Sequence, residues 1–204
     1  SACNEKWEPR GTDTVDKGTL STADLAIDLT NAEQIISKSR ATVDLTDFIV
    51  TVTDRNGMVV NEWTYAQMPG LPVFNVGTYT LKVEAGKPQK AAWNAPYYVG
   101  EKQFEIVKDK VTNAGTVTCT LQNLKVTVKF DAELVEASAG DLDCEIRVNE
   151  QGVLHFTPAT VQSGYFEVVP GNTTMVATFS GTVNGYKEEL IRLYKDLNPG
   201  QHRI

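Results

Sequence analysis

The chain has 204 residues, 41% hydrophobic and 22% charged, the balance of a folded globular protein rather than a disordered one. Its 19 Lys and Arg stand against 26 Asp and Glu, a net charge of -7 with no basic run, so nucleic acid is not an expected partner. No apolar run approaches the roughly 20 residues of a membrane span.

Taken from the amino end, Cys3 sits in Ser1-Ala2-Cys3, ahead of a charged, aperiodic stretch that contains Pro9 and Gly11. Small residues just before a cysteine are what a bacterial lipoprotein processing site leaves behind. The expectation is a lipid anchor at Cys3 on a flexible tether, residues 1–17. Leu25, Ile27 and Leu29 alternate, predicting a first strand within residues 18–29. Ile35 and Ile36, among polar neighbours, read as a loop or a short helical turn.

Residues 47–63 carry the clearest pattern. Phe48, Val50 and Val52 point one way and Ile49, Thr51 and Thr53 the other. Asp54-Arg55-Asn56-Gly57 is turn chemistry, and Val59 and Trp63 are expected on one face of the returning strand. A corner at residues 65–70 leads to a short edge strand, 71–76, weakened by Pro72. In the following strand, Tyr79, Leu81 and Val83 face inward. Residues 93–100 read as an aromatic loop, and 103–107 and 115–121 as two further strands.

Asn123 marks a boundary. Beyond it come a strand at 124–130, a short helix at 131–139, and a hairpin of 144–148 with 153–156. Strands at 165–168, 174–183 and 186–193 follow, the last two joined by Asn184-Gly185. The strand, turn-Gly, strand order of this second part echoes the first. The pattern predicts an all-β protein of two consecutive antiparallel β-sandwich domains, transthyretin/Ig-like, at residues 18–122 and 123–204.

Chemistry-bearing residues are sparse. His155 alternates with strand neighbours, His202 lies near the carboxyl end, and there is no GxSxG elbow, so hydrolysis is not expected. Asp44, Asp47, Asp54, Asp141 and Asp143 occupy turns and strand ends, where aspartate serves the backbone. The three cysteines form no CxxC, and two histidines do not make a zinc site. Cys119 and Cys144 alternate with apolar residues, as buried thiols do, and a disulfide between them stays open. No catalytic residue, metal or cofactor is expected. Trp63, Tyr65, Trp93, Tyr97 and Tyr98 either close the packing or recognise a glycan or protein; Trp93 and Tyr98 are the expected exposed ligand contacts.

The ordered set VDLTDFIVTV, WTYAQMP, VGTYTLKVEA, APYYVGEKQFEI and VTCTLQNLKVTVKF, followed by GVLHFTP and SGYF, resembles an uncharacterised family of Bacteroidetes surface lipoproteins, a domain of unknown function with fimbrillin- and adhesin-like character. The resemblance implies a lipid-anchored, all-β protein of the outer membrane and cell surface. It implies no enzymatic activity, cofactor or substrate. Asp13-Thr14-Val15 resembles the acceptor that such bacteria use for O-glycosylation, with Thr14 the candidate site. The expected function is adhesion or a pilus-related structural role, with other surface or pilus proteins as partners. The alternative is a glycan-binding component of a surface nutrient-capture system. At the carboxyl end, Pro199-Gly200 opens a strand of only a few residues. Continuation of the chain, sufficiency of the short strand, or donation of a strand by a partner would each account for it. Donation predicts an apolar groove beside the strand that ends at Leu193.

Overall fold

The computed structural model describes residues 15–30, 34–37 and 48–204. Cys3, Thr14, Asp44 and Asp47 lie outside the described residues. The first predicted strand is two strands, β1 (Lys17–Ser21) and β2 (Ala26–Leu29), because a turn at Thr22 sends the halves to different sheets. Thr22 fixes that turn: its carbonyl accepts from the Leu25 N–H at 3.1 Å, and its buried hydroxyl donates to the Pro69 carbonyl at 2.6 Å. β3 (Gln34–Ser37), where a loop or helical turn is predicted, pairs antiparallel with β2.

β4 (Phe48–Asp54) and β5 (Val59–Thr64) form the expected hairpin. The Asp54 carboxylate accepts from the N–H groups of Asn56 and Met58, and Gly57 supplies a φ of +78°. One expectation fails here. A β-bulge sets Val59 opposite Thr53 on the outer face, while Trp63 stands opposite buried Val50, so Val59 and Trp63 face opposite ways. A single 3₁₀ turn, Tyr65–Gln67, forms the corner, with the Tyr65 hydroxyl donating to the Leu25 carbonyl at 2.5 Å.

The remaining elements are β6 (Val73–Asn75), β7 (Gly77–Ala85), β8 (Ala91–Trp93), β9 (Tyr98–Ile106), β10 (Val111–Asn113), β11 (Thr116–Leu121) and β12 (Asn123–Val126). After them come α1 (Ala132–Ala137), β13 (Asp143–Val148), β14 (Gly152–Phe156), β15 (Gly164–Glu167), β16 (Met175–Val183), β17 (Tyr186–Tyr194) and β18 (His202–Arg203). Asp131 caps α1 by accepting from the Glu133 N–H.

Among the described residues the strands form four sheets, ordered β10-β1-β6, β3-β2-β11-β9-β7-β4-β5, β18-β12-β15-β8 and β14-β13-β16-β17. The protein is all-β, but the sheets are not purely antiparallel. β1 with β10, β2 with β11, and β12 with β18 are parallel pairs. Parallel neighbours need a long crossover, and the chain between each of these pairs is long enough to supply it.

Buried side chains fall into two clusters that divide between Leu121 and Leu124. Phe74, Tyr79 and Phe104 pack in the first, with ring centroids 5.3–6.0 Å apart. Phe156, Phe166, Leu124 and Leu197 anchor the second. One strand crosses the division. β8 leaves the β7–β9 connection and pairs antiparallel with β15, placing Ala91 opposite Phe166 and Trp93 opposite Gly164. A Lys90–Glu167 ion pair flanks this ladder. The segment read as an aromatic loop is thus partly strand.

Cys119 and Cys144 are free, buried, and in different clusters, which removes the disulfide alternative. Burial pushes their thiols up to about 11 and about 12. Both stay protonated near neutrality, so in a Cys3→Ser background the native protein should not react with Ellman's reagent at mildly alkaline pH, and should yield both thiols in denaturant. Rapid native labelling would contradict this burial. Gly100 in β9 gives a packing test, because an added Cβ would lie 2.3 Å from the Thr118 carbonyl oxygen and 2.8 Å from Cys119 Sγ. Gly100→Ala should lower unfolding free energy by about 1–3 kcal/mol in urea titration.

Candidate functional site

Among the described residues, β17 of the β16–β17 hairpin exposes more large hydrophobic side chains than any other element. Asn184 and Gly185, at φ of +50° and +82°, make its two-residue turn. Nine residue pairs then run in unbroken register from Val183↔Tyr186 to Met175↔Tyr194. The tip is held from the side: the Asn184 N–H donates to the Ala137 carbonyl and the Ala139 N–H to the Thr182 carbonyl, both at 2.9 Å. Asp141 accepts from the Thr182 N–H and hydroxyl at 2.8 Å each, and these bonds hold its carboxyl below the usual range. The hairpin is therefore positioned rather than free to swing.

Among the described residues β17 ends its sheet, and every one of its residues is solvent-exposed. Tyr186, Glu188, Leu190, Arg192 and Tyr194 lie on the face that β16 presents to the second cluster, opposite Val183, Gly181, Phe179, Ala177 and Met175. Ile191 and Leu193 lie on the other face and are 58% and 57% exposed. Beneath the first face runs a groove of about 560 Å³, lined by Val126, Val128, Ile146, Met175, Phe179 and Tyr194 with the carboxyl-terminal Ile204. Phe179 also borders a second depression of about 410 Å³, where Leu190 meets Phe130, Leu134 and Leu142.

β18 borders the groove. It pairs on one side with β12, with the Lys125 N–H donating to the Gln201 carbonyl and the Thr127 N–H to the Arg203 carbonyl. Among the described residues, its other side carries no strand. His202 Nε2 lies 3.0 Å from the Thr127 hydroxyl, and burial, with Lys125 nearby, holds the imidazole below its ordinary range.

The aromatic residues singled out in the sequence do not assemble into a recognition platform. Tyr98 is 8% exposed, against the expectation of a surface contact, because it opens β9 and faces the first cluster. Trp93 is 37% exposed and packs edge-on against Phe156, with centroids 4.7 Å apart. Tyr97 donates to Glu84 Oε1 at 3.1 Å, and burial with that carboxylate beside it pushes the phenol up to about 12. Tyr65 is buried and Trp63 partly so.

His155 joins a polar ladder on β13 and β14. Its Nδ1 lies 2.9 Å from Asp143 and its Nε2 3.6 Å from Glu145, which also pairs with Arg147. Among the described residues, no three His, Cys, Asp or Glu side chains converge as metal ligands. No helix among them is long and apolar enough to cross a membrane. The sequence reading found β17 as a strand but missed it as a surface. Leu190, Ile191 and Leu193 put apolar groups on both faces, and Lys187, Glu188, Glu189 and Arg192 between them mask the pattern.

Comparisons with known proteins give three kinds of result. The family model of the domain of unknown function DUF4493 matches residues 16–204. No curated protein matches. Among solved structures, a candidate adhesin from Bacteroides thetaiotaomicron is similar at 13% identity and a TM-score of 0.49, covering 91% of this chain and 81% of its own. A fimbrial assembly protein from Parabacteroides distasonis aligns at 12% identity and a TM-score of 0.49, covering 92% of this chain and 89% of its own. A candidate adhesin from Bacteroides ovatus aligns at 11% identity and a TM-score of 0.38, with 88% of each chain covered. The match along nearly the whole described chain makes it a member of the DUF4493 family, a domain of unknown function.

Proposed function

We propose that the chain is a non-enzymatic protein of the bacterial outer surface, two consecutive β-sandwich units long (18–122 and 123–204), acting in adhesion or as a pilus-related structural subunit. The observation that carries this reading is β17, a nine-residue sheet edge that exposes Leu190, Ile191 and Leu193 among the charges of Lys187, Glu188, Glu189 and Arg192. Its four charges guard against indiscriminate pairing, while no proline and, among the described residues, no covering strand closes the edge. A long, regular edge that mixes apolar and charged side chains suits addition of a strand from another chain, in which the backbone supplies affinity and alternate side chains supply specificity. The names borne by the similar structures from Bacteroides and Parabacteroides are in keeping with such a role. The glycan-capture alternative loses one of its two expected contacts, since Tyr98 is buried, while exposed Trp93 packs edge-on against Phe156.

Attachment belongs to the same reading. Ser1-Ala2-Cys3 and the polar stretch after it support a lipid at Cys3, tethering the sheets to the outer membrane. The test uses producing cells. Cys3→Ala should release the protein from the outer-membrane fraction. Ile191→Lys combined with Leu193→Lys should leave it there but cut cell aggregation and adherence about tenfold. Unchanged adherence in the double lysine variant refutes strand addition at β17, and unchanged partition of Cys3→Ala refutes the anchor. Thr14, in Asp13-Thr14-Val15, is proposed as an O-glycan site. Intact mass of native material should show added sugar that Thr14→Ala removes, and an unmodified peptide from native cells would count against it.

A further inference from the structure

We propose that the strand which adds to β17 is β17 of a second copy of this chain, paired antiparallel about a two-fold axis through Leu190. The inference rests on the strand-addition reading above and names the partner that reading leaves open. It comes from the order of side chains on the inner face: Tyr186, Glu188, Leu190, Arg192, Tyr194. Leu190 is the midpoint of the nine-residue strand. Pairing about that midpoint sets Tyr186 against Tyr194 of the second copy, Glu188 against Arg192, and Leu190 against Leu190. The face is thus its own complement in shape and in charge, as an isologous two-fold interface requires.

Other registers do worse. A two-fold perpendicular to the sheet keeps inner residues opposite inner residues, and it can be centred on any residue of the strand. Centring on Glu188 puts Glu188 against itself, and centring on Arg192 puts Arg192 against itself. Like charges directly opposite destabilise a strand pair, whereas opposite charges and aromatic pairs stabilise it. Only the Leu190 register uses all nine residues and matches both charges.

Two further observations support it. Among the described residues, neither Glu188 nor Arg192 has an ion-pair partner within its own chain, so both are available. The hairpin is also held in place by the Asn184–Ala137, Ala139–Thr182 and Asp141–Thr182 hydrogen bonds, so little ordering is lost on pairing. The product is one continuous eight-stranded sheet, β14-β13-β16-β17 joined to its symmetry copy. One edge pair buries less than the roughly 1,200 Å² of a standard interface. The dimer is therefore weak in dilute solution and favoured where copies are concentrated, as on a shared membrane.

The test is sedimentation equilibrium of the full chain under reducing conditions, with concentration raised to about 1 mM. Wild type should self-associate, less so in high salt. Glu188→Arg and Arg192→Glu, each setting like charges against each other twice, should weaken the dimer about tenfold or more. The combined E188R/R192E variant should return to within about threefold of wild type. Circular dichroism melts confirm that each variant is folded, and recovery in the combined variant could not arise from a folding defect. A wild type that stays monomeric throughout, or single variants as associated as wild type, overturns the proposal. If the protein is monomeric yet the double lysine variant loses adherence, homotypic pairing fails while strand addition stands. If the charge-reversal series behaves as expected but adherence ignores β17, the dimer stands and the adhesion reading fails.

Discussion

Every β-strand carries a row of backbone donors and acceptors on each side, and each row must find a partner or face water. Most of the chain's long-range organisation follows from that constraint. β8 is the clearest case. It breaks out of the β7–β9 connection to complete the sheet of β15 and β12, although its neighbours in sequence belong to the other cluster. Trp93 and Ala91 go with it, so the second cluster is finished by residues encoded well before its own first strand. β18 finishes the opposite edge of the same sheet with two residues. Among the described residues, β17 is left with its outer row open, and apolar side chains stand among charges on both of its faces.

Much of this was legible in the residues. The alternation of Phe48, Val50 and Val52, the turn at Asp54 to Gly57, and the Asn184-Gly185 hairpin all depend on neighbours a few positions away, and each is present in the structure. What was not legible depends on partners distant in sequence. Nothing local marks β1 and β2 as members of different sheets, or β10 as a strand beside β1. The bulge at Val60 adds one residue to an otherwise regular alternation, and that is enough to turn Val59 outward.

The candidate site divides the same way. The aromatic cluster at residues 93–98 reads as a recognition surface because Trp and Tyr favour such surfaces, but burial is decided by where β8 and β9 go. Tyr98 faces inward because β9 pairs with both β7 and β11. In β17, Leu190, Ile191 and Leu193 stand exposed at a sheet edge among four charged residues.

The β8–β15 ladder also has a mechanical consequence. The two clusters are joined covalently at residues 121–124, and a second time by this short antiparallel pairing with the Lys90–Glu167 ion pair beside it. A pull that separates them must therefore shear or peel a hydrogen-bonded ribbon as well as straighten a peptide link. Tension is shared between two connections in parallel, and the joint resists bending like a hinge pinned at two points.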